Sequence, residues 1–252
     1  MAEEPQAPSG KTVQTWPRRA VLERLGAYLL PSLIAALAAG FFIAGVGGRL
    51  AMFLLRVTSG GDVVGIKSDD GFIIGRFTSS TIPLVLGLAV GSAVVLGPLF
   101  ALVRLWLPAA WRVPIMTLYC GLVGGALLVH REGVDFTVLS PPALAVGLFV
   151  AIPAAFGAAL EPLRNMAERR TSRPPRRLFV VVPVLASAVA IAGPPGLGLV
   201  VLAWGTVLLG QGGRVGEALR SRQAMLVGSL LLIASGALAA VDLARDVRGL
   251  LL

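Results

Sequence analysis

Thr-Ser-Gly-Gly-Asp-Val-Val-Gly-Ile-Lys-Ser-Asp-Asp-Gly-Phe-Ile-Ile-Gly-Arg-Phe-Thr-Ser-Ser-Thr, residues 58 to 81, is the longest polar interruption between two runs that read only as membrane spans. Before it, Tyr28 to Gly48 carries no charge, and after it Ile82 to Val103 carries none either. About 20 consecutive apolar residues cross the hydrocarbon core as a helix, and both runs meet that length. The first opens with Pro31, tolerable near a helix start, and its Ala35, Ala36, Ala39, Gly40 and Gly45 would let a neighbouring helix approach closely. Arg49 and Arg56 follow seven residues apart, on one face of a helix that the intervening Leu-Ala-Met-Phe-Leu-Leu would continue. Both arginines are placed to snorkel toward headgroups or to pair with acids of the following loop.

The whole chain has the same character. Of its 252 residues 56% are hydrophobic and 14% charged, against roughly 25% charged in soluble domains, and the mean hydropathy is +0.84. The composition excludes a soluble globular domain and predicts an all-α, polytopic membrane helix bundle. A formal net charge of +9 does not imply nucleic acid, because the basic residues sit in short loops between apolar runs, where the positive-inside rule puts them. The expected surroundings are the lipid bilayer, with a protein partner or a homo-oligomer left open. Arg outnumbers Lys ten to one, and Ala, Gly, Leu and Val dominate the rest, a bias that suggests a GC-rich bacterial genome. The single Cys120 permits no intramolecular disulfide and reads as a packing residue.

Continuing along the chain, Gly87 and Gly91 form a small-residue pair in the second span, and Gly121 and Gly125 repeat that spacing in the third, residues 114–130. Between these spans, Arg104, Trp106, Trp111 and Arg112 suggest an interfacial belt. The fourth span is 143–160, with Pro153 expected to kink it. A basic segment from Glu161 to Arg177 follows, then an uncharged run from Leu178 to Gly213 that is too long for one crossing. Pro194-Pro195 divides it into spans 178–193 and 196–211, and the last span is 224–241. Residues 1–24 read as a cytoplasmic, disordered N-terminal segment ahead of a single membrane domain, 25–252. The first apolar run is too long for a signal-peptide core and is read as retained. Seven spans with a cytoplasmic N-terminus and an outer C-terminus leave 15 Lys and Arg inside against 7 outside. The expected location is a bacterial cytoplasmic membrane.

In this arrangement the polar loops 58–81 and 130–142 share the outer face. Asp69-Asp70-Gly71 and Glu132-Gly133-Val134-Asp135 place carboxylates beside glycine, as cation sites do and as ordinary turns do. The acids have Arg49, Arg56, Arg76 and Arg131 as natural ion-pair partners. His130, the only histidine, is chemically able to act as a base or pH sensor, but no nucleophile motif accompanies it and an interfacial, hydrogen-bonded histidine is expected. Arg49, Arg56, Asp69, Asp70, Arg76, His130, Arg131, Glu132 and Asp135 form the candidate ligand-binding cluster. No catalytic residue, metal site or cofactor is predicted. The interiors of the second and of the fourth to seventh spans lack the titratable group that proton-coupled carriers bury, and no lysine lies in a span to hold retinal.

Leu-Ala-Val-Gly recurs at 88–91 and 144–147, with Phe-Thr before it and Pro and Phe after it each time. A duplicated two-helix unit would leave that pattern, and so would chance in a biased composition. Val-Gly-Gly-Arg-Leu-Ala-Met (46–52), Ser-Asp-Asp-Gly-Phe-Ile-Ile-Gly-Arg-Phe-Thr (68–78), Val-His-Arg-Glu-Gly-Val-Asp-Phe-Thr-Val-Leu (129–139) and Leu-Ala-Val-Gly-Leu-Phe-Val-Ala-Ile-Pro (144–153) together resemble a family of uncharacterised actinobacterial multi-pass membrane proteins. The resemblance spans roughly residues 30 to 165 and implies a fold group without an activity. Three functions stay open: a non-catalytic membrane subunit or scaffold, a passive channel or small-solute transporter with an outer vestibule, and an enzyme acting on a lipid or polyprenyl phosphate at the outer face.

Overall fold

In a bilayer every backbone N–H and C=O must find its partner within the protein, so an apolar chain of this composition folds into helices. The computed structural model describes residues 18–60, 65–66, 79, 81–170 and 221–252, and among them only helices and their connecting turns occur. Helix α1 (Arg18–Ala39) passes through a π-helical stretch, Gly40–Gly47, into α2 (Gly48–Ser59) without a break. Likewise α3 (Thr81–Gly91) passes through Ser92–Leu96 into α4 (Gly97–Trp106). A short turn leads to α5 (Arg112–Leu128), then come the single-turn α6 (Val134–Val138), the long α7 (Pro142–Arg170) and α8 (Arg222–Leu251).

Five of the described helical segments are long and apolar enough to cross a membrane: Ala27–Ser59, Thr81–Trp106, Ala109–Leu128, Pro142–Arg170 and Arg222–Leu251. This is a membrane protein. Its outward faces are apolar, with Phe42, Ile82, Leu118 and Ile233 each 64 to 67% exposed, as hydrocarbon requires and water would not tolerate over so large an area. The expected spans 178–193 and 196–211 lie outside the described residues, as do residues 1–17.

The expected first four spans and the last coincide with helices, but two helices run well beyond them. The fourth continues from 160 to Arg170 and the last from 241 to Leu251. Hydropathy marks where a helix leaves the hydrocarbon, not where its hydrogen bonding stops. At about 1.5 Å per residue, the 33 residues of Ala27–Ser59 span roughly 50 Å against a core near 30 Å. The helix therefore continues through Arg49 and Arg56, as their shared face suggested. α7 also runs unbroken through Pro153 and Pro162.

Contacts at the helix ends fix the relative directions. The Tyr28 hydroxyl, near the start of the first span, donates to the Ala101 carbonyl of α4 at 2.6 Å. Gly228, early in α8, lies against the Trp106 ring at the end of α4. At the other end, the Ser140 N–H donates to Ser59 Oγ at 2.7 Å, and Leu55, Val129, Phe136, Leu139 and Leu243 form one buried cluster. Thus α1–α2, α5 and α8 run one way, and α3–α4 and α7 the other. The chain leaves α7 and enters α8 at the same end of the bundle.

Small residues set the helix spacing. Ala35, Ala36 and Ala39 are fully buried, and a Cβ on Gly40 would stand 2.7 Å from Ser92 Oγ, so the two π-helical stretches meet at a point only glycine allows. On the other side of the bundle, Gly121 faces Ala154, Gly125 faces Val150 and Leu243, and Gly157 abuts the Met116 carbonyl. The Gly87–Gly91 pair behaves differently. A Cβ on either would meet nothing within 4 Å, so this pair packs no helix among the described residues, contrary to the expectation from its spacing. The two Leu-Ala-Val-Gly copies fall alike: Ala89 and Ala145 are buried, Gly91 and Gly147 face open space, and Phe100 and Phe156 join one apolar cluster.

Candidate functional site

Where α4 gives way to α5, charged side chains from three helices converge. Glu161 of α7 accepts Arg104 Nε at 2.7 Å and Arg104 Nη2 at 2.9 Å, a two-pronged pairing, and Arg112 Nη1 at 3.2 Å. Arg112 holds the turn as well, donating through Nε to the Leu107 carbonyl at 3.1 Å and through Nη2 to the Arg104 carbonyl at 3.3 Å. One turn along α7, Arg164 donates to Glu168 at 2.7 Å and to Ser32 Oγ of α1 at 3.1 Å. Its guanidinium carbon lies 6.0 Å from the Tyr28 ring centre, at the outer reach of a cation–π contact. Arg164 is only 2% exposed.

The local sequence accounts for this convergence. Glu161, Arg164 and Glu168 occur at i, i+3 and i+7, so they occupy one stripe of α7. Phe156, Gly157 and Leu160 bury the adjoining turn against α4 and α5, which brings that stripe against the arginines flanking the α4–α5 turn. Charge-assisted, two-pronged Arg–carboxylate pairing is among the strongest polar contacts available to a protein. The sequence reading placed Arg104 and Arg112 at an interface but assigned Glu161 to a basic connecting segment. The missed signal was the helical spacing of its three charged residues, hidden by the arginines that follow.

The cluster expected from the outer loops has a different organisation at the opposite end. Asp69, Asp70 and Arg76 lie outside the described residues. Arg49 and Asp135 are buried, at 8% and 5% exposure, Arg56 is half-buried, and His130 and Glu132 are exposed. Arg131 turns to α8 rather than to the neighbouring acids. Its Nε is 3.9 Å from Asp246, and its guanidinium lies over Gly249. The hydrogen bond expected of the histidine is not made by the ring with any described residue; instead its carbonyl accepts the Gly133 N–H at 3.1 Å and closes the turn into α6. Asp135 occupies the first turn of α6, a position that favours a carboxylate.

No group of three or more His, Cys, Asp or Glu suited to a metal ion occurs among the described residues. Trp106, whose ring packs on Gly228, keeps its indole Nε1 buried without a hydrogen-bond partner among them. No protein-family model, curated protein or solved structure matches the chain.

Proposed function

We propose that this protein is a non-catalytic subunit or scaffold of a bacterial cytoplasmic membrane. The observation that carries the reading is the use made of charge at the α4–α5 end. Glu161 takes both flanking arginines, and Arg164 takes Glu168 and Ser32. These groups tie four helical segments to one another, which is structural work. Close glycine packing of α5 on α7 supports the same reading. Outside the bundle, the exposed apolar faces supply surface for lipid and for a neighbouring membrane protein. Native mass spectrometry of the protein, extracted gently from its own membrane, tests the proposal. A stoichiometric protein partner is the expected result; a monomer that supports solute flux in proteoliposomes would replace it with the channel reading.

The same proposal includes seven spans, a cytoplasmic N-terminus and an outer C-terminus. It is supported by the charge asymmetry between loops and by α7 ending where α8 begins, which a hairpin of two spans would join. Single cysteines introduced at Gly133 and at Arg170 in a Cys120→Ala background test it. An impermeant maleimide applied to intact cells is expected to label the first and spare the second. We also propose that the chain belongs with the actinobacterial multi-pass proteins whose motifs it resembles; that grouping lends no activity.

A further inference from the structure

Among the described residues, charge at the α4–α5 turn does not balance. Three guanidinium groups, on Arg104, Arg112 and Arg164, face two carboxylates, on Glu161 and Glu168. Arg164 has Glu168 to itself at 2.7 Å. Glu161, with one negative charge, serves both Arg104 and Arg112. The other bonds of Arg112 go to neutral carbonyl oxygens, and Arg104 Nη1 makes no hydrogen bond with a described residue. Counted over the described residues, one positive charge is therefore left on the Arg104–Arg112 edge. That edge is partly open, the two side chains being 17% and 20% exposed.

Its place along the bundle says what reaches it. Arg104 lies in the last turn of one span and Arg112 opens the next. Trp111 stands beside Arg112 and is exposed, as aromatic residues are at headgroup depth. Farther along α5, Val113 and Leu118 present exposed apolar side chains, a surface suited to an acyl chain. We propose that the Arg104–Arg112 edge binds the phosphate of an anionic phospholipid headgroup. A phosphodiester brings the one negative charge the edge lacks, and its unesterified oxygens accept the uncommitted guanidinium N–H groups in charge-assisted bonds. The inference is independent of the subunit or scaffold reading, because it requires no protein partner.

Native mass spectrometry of the delipidated full chain in detergent tests it, with phosphatidylglycerol and phosphatidylcholine of matched acyl chains as probes. Phosphatidylglycerol is expected to bind about fivefold more tightly, the effect of one basic residue near an anionic surface. The preference should fade as salt rises from about 0.1 M to about 1 M. Arg112→Gln is expected to abolish it while Glu161 keeps its two-pronged partner; Arg112→Lys should retain it in part. Equal binding of the two lipids by the native chain overturns the proposal, as does a preference that persists in folded Arg112→Gln. So does a preference removed instead by Arg169→Gln/Arg170→Gln, a pair of exposed arginines beyond the cluster. Displacement of phosphatidylglycerol by millimolar inorganic phosphate would assign the edge to a free anion and overturn the lipid assignment. Should Arg112→Gln fail to fold, the salt series on the native chain still decides, a salt-independent preference being the adverse result.

Discussion

At the α4–α5 end of the bundle, Glu161 draws Arg104 and Arg112 together while Arg164 reaches Ser32 across to α1. At the opposite end, Arg131 and Asp246 approach only to 3.9 Å, with the arginine side chain 57% exposed, and His130 and Glu132 project into the surroundings. The first arrangement centres on Glu161 and Arg164, both buried, so that loss of one partner strands the others. In the Arg131–Asp246 contact, water screens the pairing. The contrast teaches that charge content alone does not locate organised chemistry in a membrane bundle. The site was expected at one end, and ion pairs at 2.7 Å occur at the other.

The sharpest way to break this contrast is at Gly157, one turn before Glu161. Its Cα faces the Met116 carbonyl so closely that a side chain would have to displace backbone. Gly157→Leu should drive α5 from α7 and cost beyond about 3 kcal/mol, the upper part of the range for overpacking. Little or no monodisperse protein is expected by size-exclusion chromatography. The matched change Gly87→Leu, at a position with nothing within 4 Å, should leave the elution profile unaltered.

Glu161→Ala comes next. It leaves Arg104 and Arg112 confined at one site with no carboxylate, and a loss of about 3 kcal/mol is expected from the cost of breaking a buried ion pair. Glu161→Gln keeps an acceptor oxygen and should lose distinctly less. Denaturant-induced unfolding in mixed micelles measures both. If alanine and glutamine are alike and nearly harmless, the cluster does not hold the bundle, and the structural reading of this end fails.

Much of the fold was legible because the solvent is lipid. An uncharged run of span length has few alternatives to a helix, which is why 28–48, 82–103, 114–130, 143–160 and 224–241 each coincide with one. Other features depend on tertiary contacts that hydropathy does not encode. Gly87–Gly91 and Gly121–Gly125 have the same spacing, yet only the second pair packs on a neighbour. Spacing determines that two glycines share a face, not which way the face turns. The two π-helical stretches begin at Gly40 and Ser92, residues far apart in the chain that meet in the bundle. Of the candidate site, Arg49 and Asp135 were found as charged residues, but not as buried ones. Glu161 was missed because the arginines after it made its helix look like a loop.

The smallest effects belong to the exposed end, and they sharpen the comparison most. Arg131→Ala removes a long, screened contact to Asp246 and the cover over Gly249. Exposed pairs contribute from nothing to about 1 kcal/mol, so its expected cost is below that ceiling and should shrink further in high salt. His130→Ala should lie within about 0.5 kcal/mol of the native protein, as surface substitutions usually do. Its backbone carbonyl, which the change leaves in place, makes the turn to Gly133. Both are read in the same micelle unfolding assay as Glu161→Ala. A His130→Ala loss comparable with that of Glu161→Ala would mean that the ring has a partner in the assembled protein, and would restore this end as the place where function is built. A null result in stability, together with a changed set of co-purifying proteins, would instead mark His130 as part of a docking surface.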